Sequence, residues 1–474
     1  MRHSLDPSSL HRRLGVLTDR LTGARRLHGC SGKPASARAG VFTEGQAHPG
    51  RLRALDLAVG RRKRPQHPGC SPASAFGAVG AVEKAVAGER TTMTMMGCWL
   101  VNHLCEGSAV TNVTRTDGID LEEAVSRVAE RTGFSGTVRV TRHGQPVFTR
   151  VFGMASRRWS IPNTHDTRFR VASVSKMFTA VAVLQLVERQ QVRLGDALVD
   201  FVKDHVPELD PRVTVHHALT MTAGIGDWFE EGSDDWEAEW AALTSSQPLY
   251  LLRDNKDYLP LFADKQPHFA PGERYLYNGA GYIMLGLLIE SVTGRSFEEV
   301  IVDDVFARAG MSASGFPALD DLGPDIAEGY LATADSATPY RTNHYATTPR
   351  AAADGGATCT AADLTAFAHA LRHGRLLNEE TTRLALTPQV DEREEKVRGY
   401  RWMYGFGLTH ILDDEGTVVR WGHTGEEDGV SARLYHYPQQ DLDVAVLSNI
   451  SWCAGDMGWA VHDALVGNQE TRVP

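Results

Sequence analysis

Strand-like segments stand at both ends of the patterned part of this chain, with helical patterns filling the stretch between them. Thr137–Thr141 alternates in polarity, Arg142-His143-Gly144 supplies a turn, and Pro146–Phe152 continues the alternation, which is the pattern of a β-hairpin. Near the other end Thr417–Trp421, Ser431–Tyr437 and Leu442–Ser448 read as three strands, with turns at 422–429 and 438–441 and a closing helix over Asp456–Val466. The simplest way to pair two such distant sets is one antiparallel sheet made from both ends of a domain. Flanking helices and a mainly helical subdomain then lie to one side, an α+β architecture. Ahead of the hairpin, Asp120 with Glu123 forms a capping-box pattern, Leu121, Val125 and Val128 make one stripe, and Gly133 is a natural stop, so the first helix is expected there. No internal repeat is visible.

Charge divides the chain. The first 92 residues carry sixteen Lys and Arg against six Asp and Glu, while the whole 474-residue chain has a net charge of −10, so the remainder is acidic by a wider margin. That opening stretch is rich in Arg, Gly, Ala, Ser and Pro and lacks apolar periodicity, so it buries too little surface to offset its ordering entropy. Residues 1–117 are read as a basic, disordered extension, a start upstream of the true one at Met93, Met95 or Met96 being one explanation, and residues 118–469 as the folded domain. A transit peptide and a nucleic-acid contact at Arg61-Arg62-Lys63-Arg64 are the functional alternatives for the extension. No apolar run reaches the ~18 residues of a membrane helix, and Met95–Val101 is too short for a signal-peptide core of ~7–15 residues. A cytoplasmic protein without membrane or nucleic-acid partners is expected. Of the six cysteines four precede the folded region and none form C-x-x-C, which leaves Cys359 and Cys453 able to bond only if the fold joins them.

G-x-S-x-G, H-E-x-x-H, Walker-type and G-x-G-x-x-G patterns are all absent. What remains is Ser173-Val174-Ser175-Lys176, opening a helix in which Met177, Val181 and Leu184 form one stripe and Phe178, Val183, Leu186 and Val187 cover other sides. A helix apolar nearly all round is buried. A serine at its start sits where backbone N–H groups favour a developing anion, and a lysine three residues on lies one turn below on the same face. Burial lowers a lysine's affinity for its proton, so the pair suits a serine nucleophile and a lysine base. The plainer alternative is a serine cap and a lysine reaching solvent. Against it stand the scarcity of lysine, eight against 41 arginines, and the fact that this is the one S-x-x-K in the chain.

Tyr277, ahead of an apolar helix from about Tyr282 to Val292, would sit at a loop-to-helix junction, where a phenol sharing its proton with a lysine can relay it to a leaving group; the alternative is a core tyrosine bonded to a carbonyl. His423-Thr424-Gly425 follows a strand. Glycines there admit a substrate backbone, the N–H of Glu426 can donate to an oxyanion, and His423 can face a substrate carboxylate or share a proton with Tyr277. A segment from Ile225 to Gln266 places Trp228, Trp236 and Trp240 among Glu230, Glu231, Asp234, Asp235, Glu237 and Glu239. It reads as an acidic, aromatic lip on a cleft or as a solvated helix that buries its tryptophans.

In this order S-x-x-K, a tyrosine about 100 residues on and [KH]-T-G on a late strand resemble the serine β-lactamase and D-Ala-D-Ala-peptidase superfamily, nearest to its class C β-lactamase-like branch of esterases and D-aminopeptidases. Val213–Gly224 is similar to that branch's segment ending in H-T-S-G, and Gly355–Leu364 to its G-G-x-x-S-T-A-x-D-L segment. The resemblance covers about residues 119–467 and implies a β-lactamase/transpeptidase-like fold and acylation of Ser173, with Lys176 and Tyr277 managing its proton. It also implies an oxyanion hole from the N–H groups of Ser173 and Glu426, binding of substrate along Thr424 and Gly425, and no metal or organic cofactor. The expected substrate is a small ester, amide or short peptide. A D-stereospecific amidase or β-lactamase on the same site is the alternative, and a penicillin-recognising module that acylates without turnover is a second. Two departures stand out. Tyr277-Asn278-Gly279 lacks the asparagine two residues after the tyrosine, leaving Asn278, the adjacent amide, as a candidate substrate contact, and His423 replaces the lysine of the β-lactamases proper.

Overall fold

Asp120 opens the first element of the chain as seen in a computed structural model, which describes residues 120–467 apart from 234 and 335. The basic extension, residues 1–117, therefore lies outside the described residues. Asp120 caps helix α1 (Leu121–Thr132) by accepting the Glu122 N–H at 3.0 Å, and Gly133 ends it at φ 67°. The reciprocal half of the expected capping box is missing because Glu123 pairs instead with Arg127 one turn on.

The hairpin follows as β1 (Gly136–Arg142) and β2 (Gln145–Phe152). His143 and Gly144 take the left-handed conformations (φ 50° and 74°) that let a two-residue turn follow the twist of its strands. Late in the chain come β3 (Val390–Asp391), β4 (Arg401–Tyr404), β5 (Thr409–Leu412), β6 (Val418–Glu427), β7 (Val430–Tyr437) and β8 (Leu442–Ser448). They form one sheet in the order β2-β1-β8-β7-β6-β5-β4-β3. The two ends of the domain meet in its interior, where β1 pairs antiparallel with β8 and Val138 lies opposite Val446. This is the expected α+β arrangement.

Alternation along β8 assigns side chains to two cores. Leu442, Val444 and Val446 point to a layer formed by α1 and the closing helix α6 (Cys453–Val466), with Val125, Val128, Val461 and Leu465. Ala445 and Leu447 point the other way, into the larger core that holds α2 (Lys176–Glu188), α4 (Gly279–Thr293) and α5 (Ala361–Arg372). Between α2 and α4 lies α3 (Trp236–Ser246). Every residue of α2 from Lys176 to Leu186 is buried, so this helix runs through the core and not over it.

One expectation about the sheet needs correction. Residues 422–429 are not a turn, because β6 continues through His423-Thr424-Gly425 to Glu427 and pairs with β7 as far as Glu427 opposite Val430. Only Asp428 and Gly429 (φ 77°) are left to turn the chain. Cys359 and Cys453 are both free thiols. Among the described residues no helix is long and apolar enough to cross a membrane.

Phe178, on α2, packs edge-on against Phe306 and Phe367 at centroid distances of 4.9 and 4.8 Å. Phe178→Ala removes the ring that joins three elements, and urea denaturation should show a loss of about 3–5 kcal/mol. A loss under about 1 kcal/mol would mean that α2 is not the centre of this core.

Candidate active site

Ala172 holds a left-handed φ of 45° immediately before Ser173, and the chain passes through one short turn (Ala172–Ser175) into α2. Neither the turn nor α2 has a side-chain N-cap, so Ser173 is not spent on capping. Ser175 is the structural serine of the pair. Its Oγ donates to Ala172 O at 2.8 Å and accepts the Ala357 N–H at 3.0 Å. Ser173 keeps partial exposure while Lys176 is 1% exposed, which rules out a lysine reaching solvent. Lys176 Nζ donates to Ser173 Oγ at 3.0 Å and to Asp354 O at 2.5 Å. It also lies 4.9 Å from the centre of the Tyr277 ring.

Tyr277 stands just ahead of α4, as expected, with its phenol beside Ser173. Withdrawal from water and the nearby Glu231 raise its pKa well above that of a free phenol, and the Ser173 hydroxyl only partly offsets this. That environment favours the protonated phenol over the phenolate. Asn278 is not a substrate contact. It is buried, and it caps α4 by accepting the Gly281 N–H at 2.7 Å while donating to Ile225 O at 3.0 Å. The sequence showed the adjacency to Tyr277 but not the phase of the helix start. Asp227, which the sequence did not single out, fixes the same junction. Its carboxyl accepts the N–H groups of Gly279 (2.6 Å) and Ala280 (2.8 Å), although burial still pushes its pKa up to about 8.

Gly279, standing where the family places asparagine, has a physical reason. A Cβ there would fall 2.7 Å from Trp228 Nε1 and 2.9 Å from Asp354 Oδ2, two atoms that hydrogen-bond to each other at 2.9 Å. The space of an amide side chain is already occupied by an indole N–H and a carboxylate. Since Asp354 also gives its carbonyl to Lys176, this pair stands beside the lysine where the amide would be. The acidic residue immediately before Gly355-Gly356 was the available clue to Asp354.

On β6 the three residues behave differently. Gly425 is required by the protein itself: a Cβ there would lie 2.1 Å from Val171 O and 3.1 Å from Ser173 N, so the strand presses directly on the serine turn. His423 has both ring nitrogens engaged, Nε2 with Tyr404 Oη at 3.2 Å and Nδ1 with Thr424 O at 2.5 Å. Its ring nitrogens are thus turned to Tyr404 and to main chain, while its ring lies against that of Tyr277 at a centroid distance of 6.3 Å. Burial, with Lys176 nearby, lowers its pKa to about 3. The neutral ring supports the fold above the ordinary histidine range, and that support is lost as pH falls toward 3. Thr424 is partly exposed beside it.

Ser173 and Glu426 line one cavity of about 330 Å³. Its walls are Trp228, Phe229, Trp236, Trp240, Tyr258 and Trp452, so the 225–266 segment does form an acidic, aromatic border to the site. A larger cavity of about 510 Å³, near Trp159 and Asn449, includes none of Ser173, Lys176 and Tyr277. The smaller one is where a ligand would meet the serine.

The family model described as Beta-lactamase matches residues 121–453, most of the chain. The chain belongs to the beta-lactamase family. Esterase EstB of Burkholderia gladioli is 28% identical over 368 residues, covering 71% of this chain and 91% of that protein. A D-aminopeptidase of Brucella anthropi is 25% identical over 362 residues, covering 76% of this chain and 65% of that protein. Among solved structures, a penicillin-binding protein of Bacillus halodurans superposes with a TM-score of 0.64 at 37% identity, covering 71% of this chain and 98% of that one. The beta-lactamase-like architecture expected from the motifs is thereby shown.

Two outcomes follow from the geometry. Gly279→Asn should cost about 1–3 kcal/mol in a thermal or urea melt, and most of the loss should be recovered when Trp228→Ala is added; an unchanged melt would refute the clash. In a histidine-selective NMR titration the His423 ring should stay neutral from about pH 5 to 8, whereas a midpoint near the free value of about 6.5 would contradict its burial.

Proposed function

We propose that this protein is an esterase-like serine hydrolase that cleaves ester or amide bonds through an acyl-enzyme on Ser173. The observation that carries the reading is the buried Lys176 Nζ, 3.0 Å from Ser173 Oγ, with Ser173 itself lining the 330 Å³ cavity. Lys176 Nζ takes the Ser173 proton as Oγ attacks the carbonyl carbon. The resulting oxyanion is held by the N–H groups of Ser173 and Glu426. Lys176 then returns the proton through the protonated Tyr277 phenol to the departing alkoxide or amine. Water attacks the acyl-enzyme by the reverse sequence and frees Ser173.

Thr424 and Gly425 bound the substrate along β6. His423 is a positioning residue in this scheme, tying β6 to Tyr404 on β4 beneath the reacting groups.

Against a penicillin-recognising module, or a β-lactamase acting on an anionic lactam, stands the lining of the cavity. Among the described residues it has five carboxylate side chains, Glu231, Asp354, Glu426, Glu427 and Asp428, and no lysine or arginine to meet a substrate carboxylate.

Intact-protein mass spectrometry after treatment with a fluorophosphonate should show one adduct on the wild type and none on Ser173→Ala. With p-nitrophenyl butyrate, Ser173→Ala and Lys176→Ala should each lower kcat/KM by about a thousandfold or more, and the double variant should be little worse than either. Tyr277→Phe should lower it by about a hundredfold. Full labelling of a folded Ser173→Ala protein would transfer the reaction to another residue.

A further inference from the structure

The cavity above Ser173 combines two kinds of wall that point to the same ligand chemistry. The first is aromatic and angular: Trp228 meets Tyr258 at 5.2 Å and 75° and Trp240 at 6.3 Å and 67°, while Trp236 meets Trp452 at 5.6 Å and 58° across the rim. Rings set at such angles offer π faces from several directions and do not stack into a flat apolar slot. That geometry suits a rounded cation better than a planar apolar group.

The second wall is anionic. Two of the five lining carboxylates are answered from outside the cavity, Glu426 by Arg433 at 2.6 Å and Glu427 by Arg170 at 3.1 Å. The carboxyls of Asp354 and Asp428 accept indole N–H groups, from Trp228 at 2.9 Å and Trp240 at 3.2 Å. Those bonds orient the same rings that form the aromatic wall. Glu231, at the lip, is exposed, and its carboxylate feels the charge of Lys176 and of neighbouring carboxylates. Burial raises the pKa of Asp354, Lys176 partly offsets this, and repulsion from Glu427 adds to the rise. A cation entering the cavity would relieve that repulsion.

Building on the serine-hydrolase reading, we propose that this cavity is a subsite for an organic ammonium group, so that the preferred substrates are esters or amides carrying an alkylammonium near the scissile carbonyl. The aromatic faces contact the N-methyl or N-alkyl surface, and Glu231 with Asp354 supplies the counter-charge. An anionic substituent would be repelled, and a neutral one of equal shape would gain only the apolar contact.

Butyrylcholine and 3,3-dimethylbutyl butyrate are the test pair, because they differ in one atom, nitrogen or carbon, and share size and scissile bond. On wild-type enzyme at low salt kcat/KM should favour butyrylcholine by about tenfold or more, and the ratio should shrink as ionic strength rises. Glu231→Gln should reduce it several-fold. In parallel, titration of folded Ser173→Ala with tetramethylammonium chloride, against a sodium chloride control, should give saturable quenching of tryptophan fluorescence. Equal turnover of the two esters would overturn the subsite and leave the hydrolase standing. Saturable binding with both esters inert would support the subsite and overturn the ester-cleaving assignment. Neither binding nor turnover would overturn both.

Discussion

A lysine side chain enclosed in an apolar helix must have its polar needs met locally, and the rest of this site is arranged around that requirement. Lys176 satisfies it with the Ser173 hydroxyl and the Asp354 carbonyl, and its remaining surface lies against the rings of Tyr277 and Tyr282 at 4.9 and 5.7 Å. Each partner arrives on a different part of the chain: the turn before α2, the loop ahead of Gly355-Gly356 and the junction before α4. Burying the lysine thus draws those parts together, and one consequence of folding the core is a serine hydroxyl at hydrogen-bond distance from a desolvated nitrogen. Strand β6 completes the arrangement from the other side, with Gly425 allowing main chain to touch main chain at the serine turn.

Replacing the family's asparagine by Gly279 removes a side chain without leaving a gap. Trp228 and Asp354 fill the space, and the same two residues belong to the cavity wall. The change beside the lysine is therefore coupled to the character of the pocket: the indole can bond to Asp354 there only because no amide side chain stands in its place. Rim and catalytic floor share atoms, which joins substrate selection to the placement of Lys176.

Much of this was legible in the sequence because the relevant patterns are local. Alternation gave the hairpin and the three closing strands, and the all-round apolar character of α2 gave its burial and hence the unusual position of Lys176. The errors came where a residue's role depends on contacts distant in the chain. Glycines at 422, 425 and 429 look like a turn, yet only Gly429 turns the chain, while Gly425 answers to Val171, a residue far away in sequence. Asn278 was taken for a substrate contact because it neighbours Tyr277, whereas helix phase makes it a cap. His423 was expected to face the substrate, and no local signal shows that Tyr404 takes its Nε2. Trp228, Trp236 and Trp240 were recognisable as a group, but their convergence with Asp354, Glu427 and Asp428 exists only in three dimensions.

The proposed hydrolysis rests on Ser173 Oγ, served by Lys176, carrying the acyl group during turnover. Acid quenching of the enzyme during steady-state hydrolysis of p-nitrophenyl butyrate, followed by proteolysis and peptide mass mapping, would locate that group directly. The expected result is a butyryl adduct confined to the peptide containing Ser173, formed in the first turnover with a burst of p-nitrophenol, and absent from Lys176→Ala protein quenched at the same time. A butyryl group on any other residue, or turnover with no burst and no trapped acyl group, would contradict it.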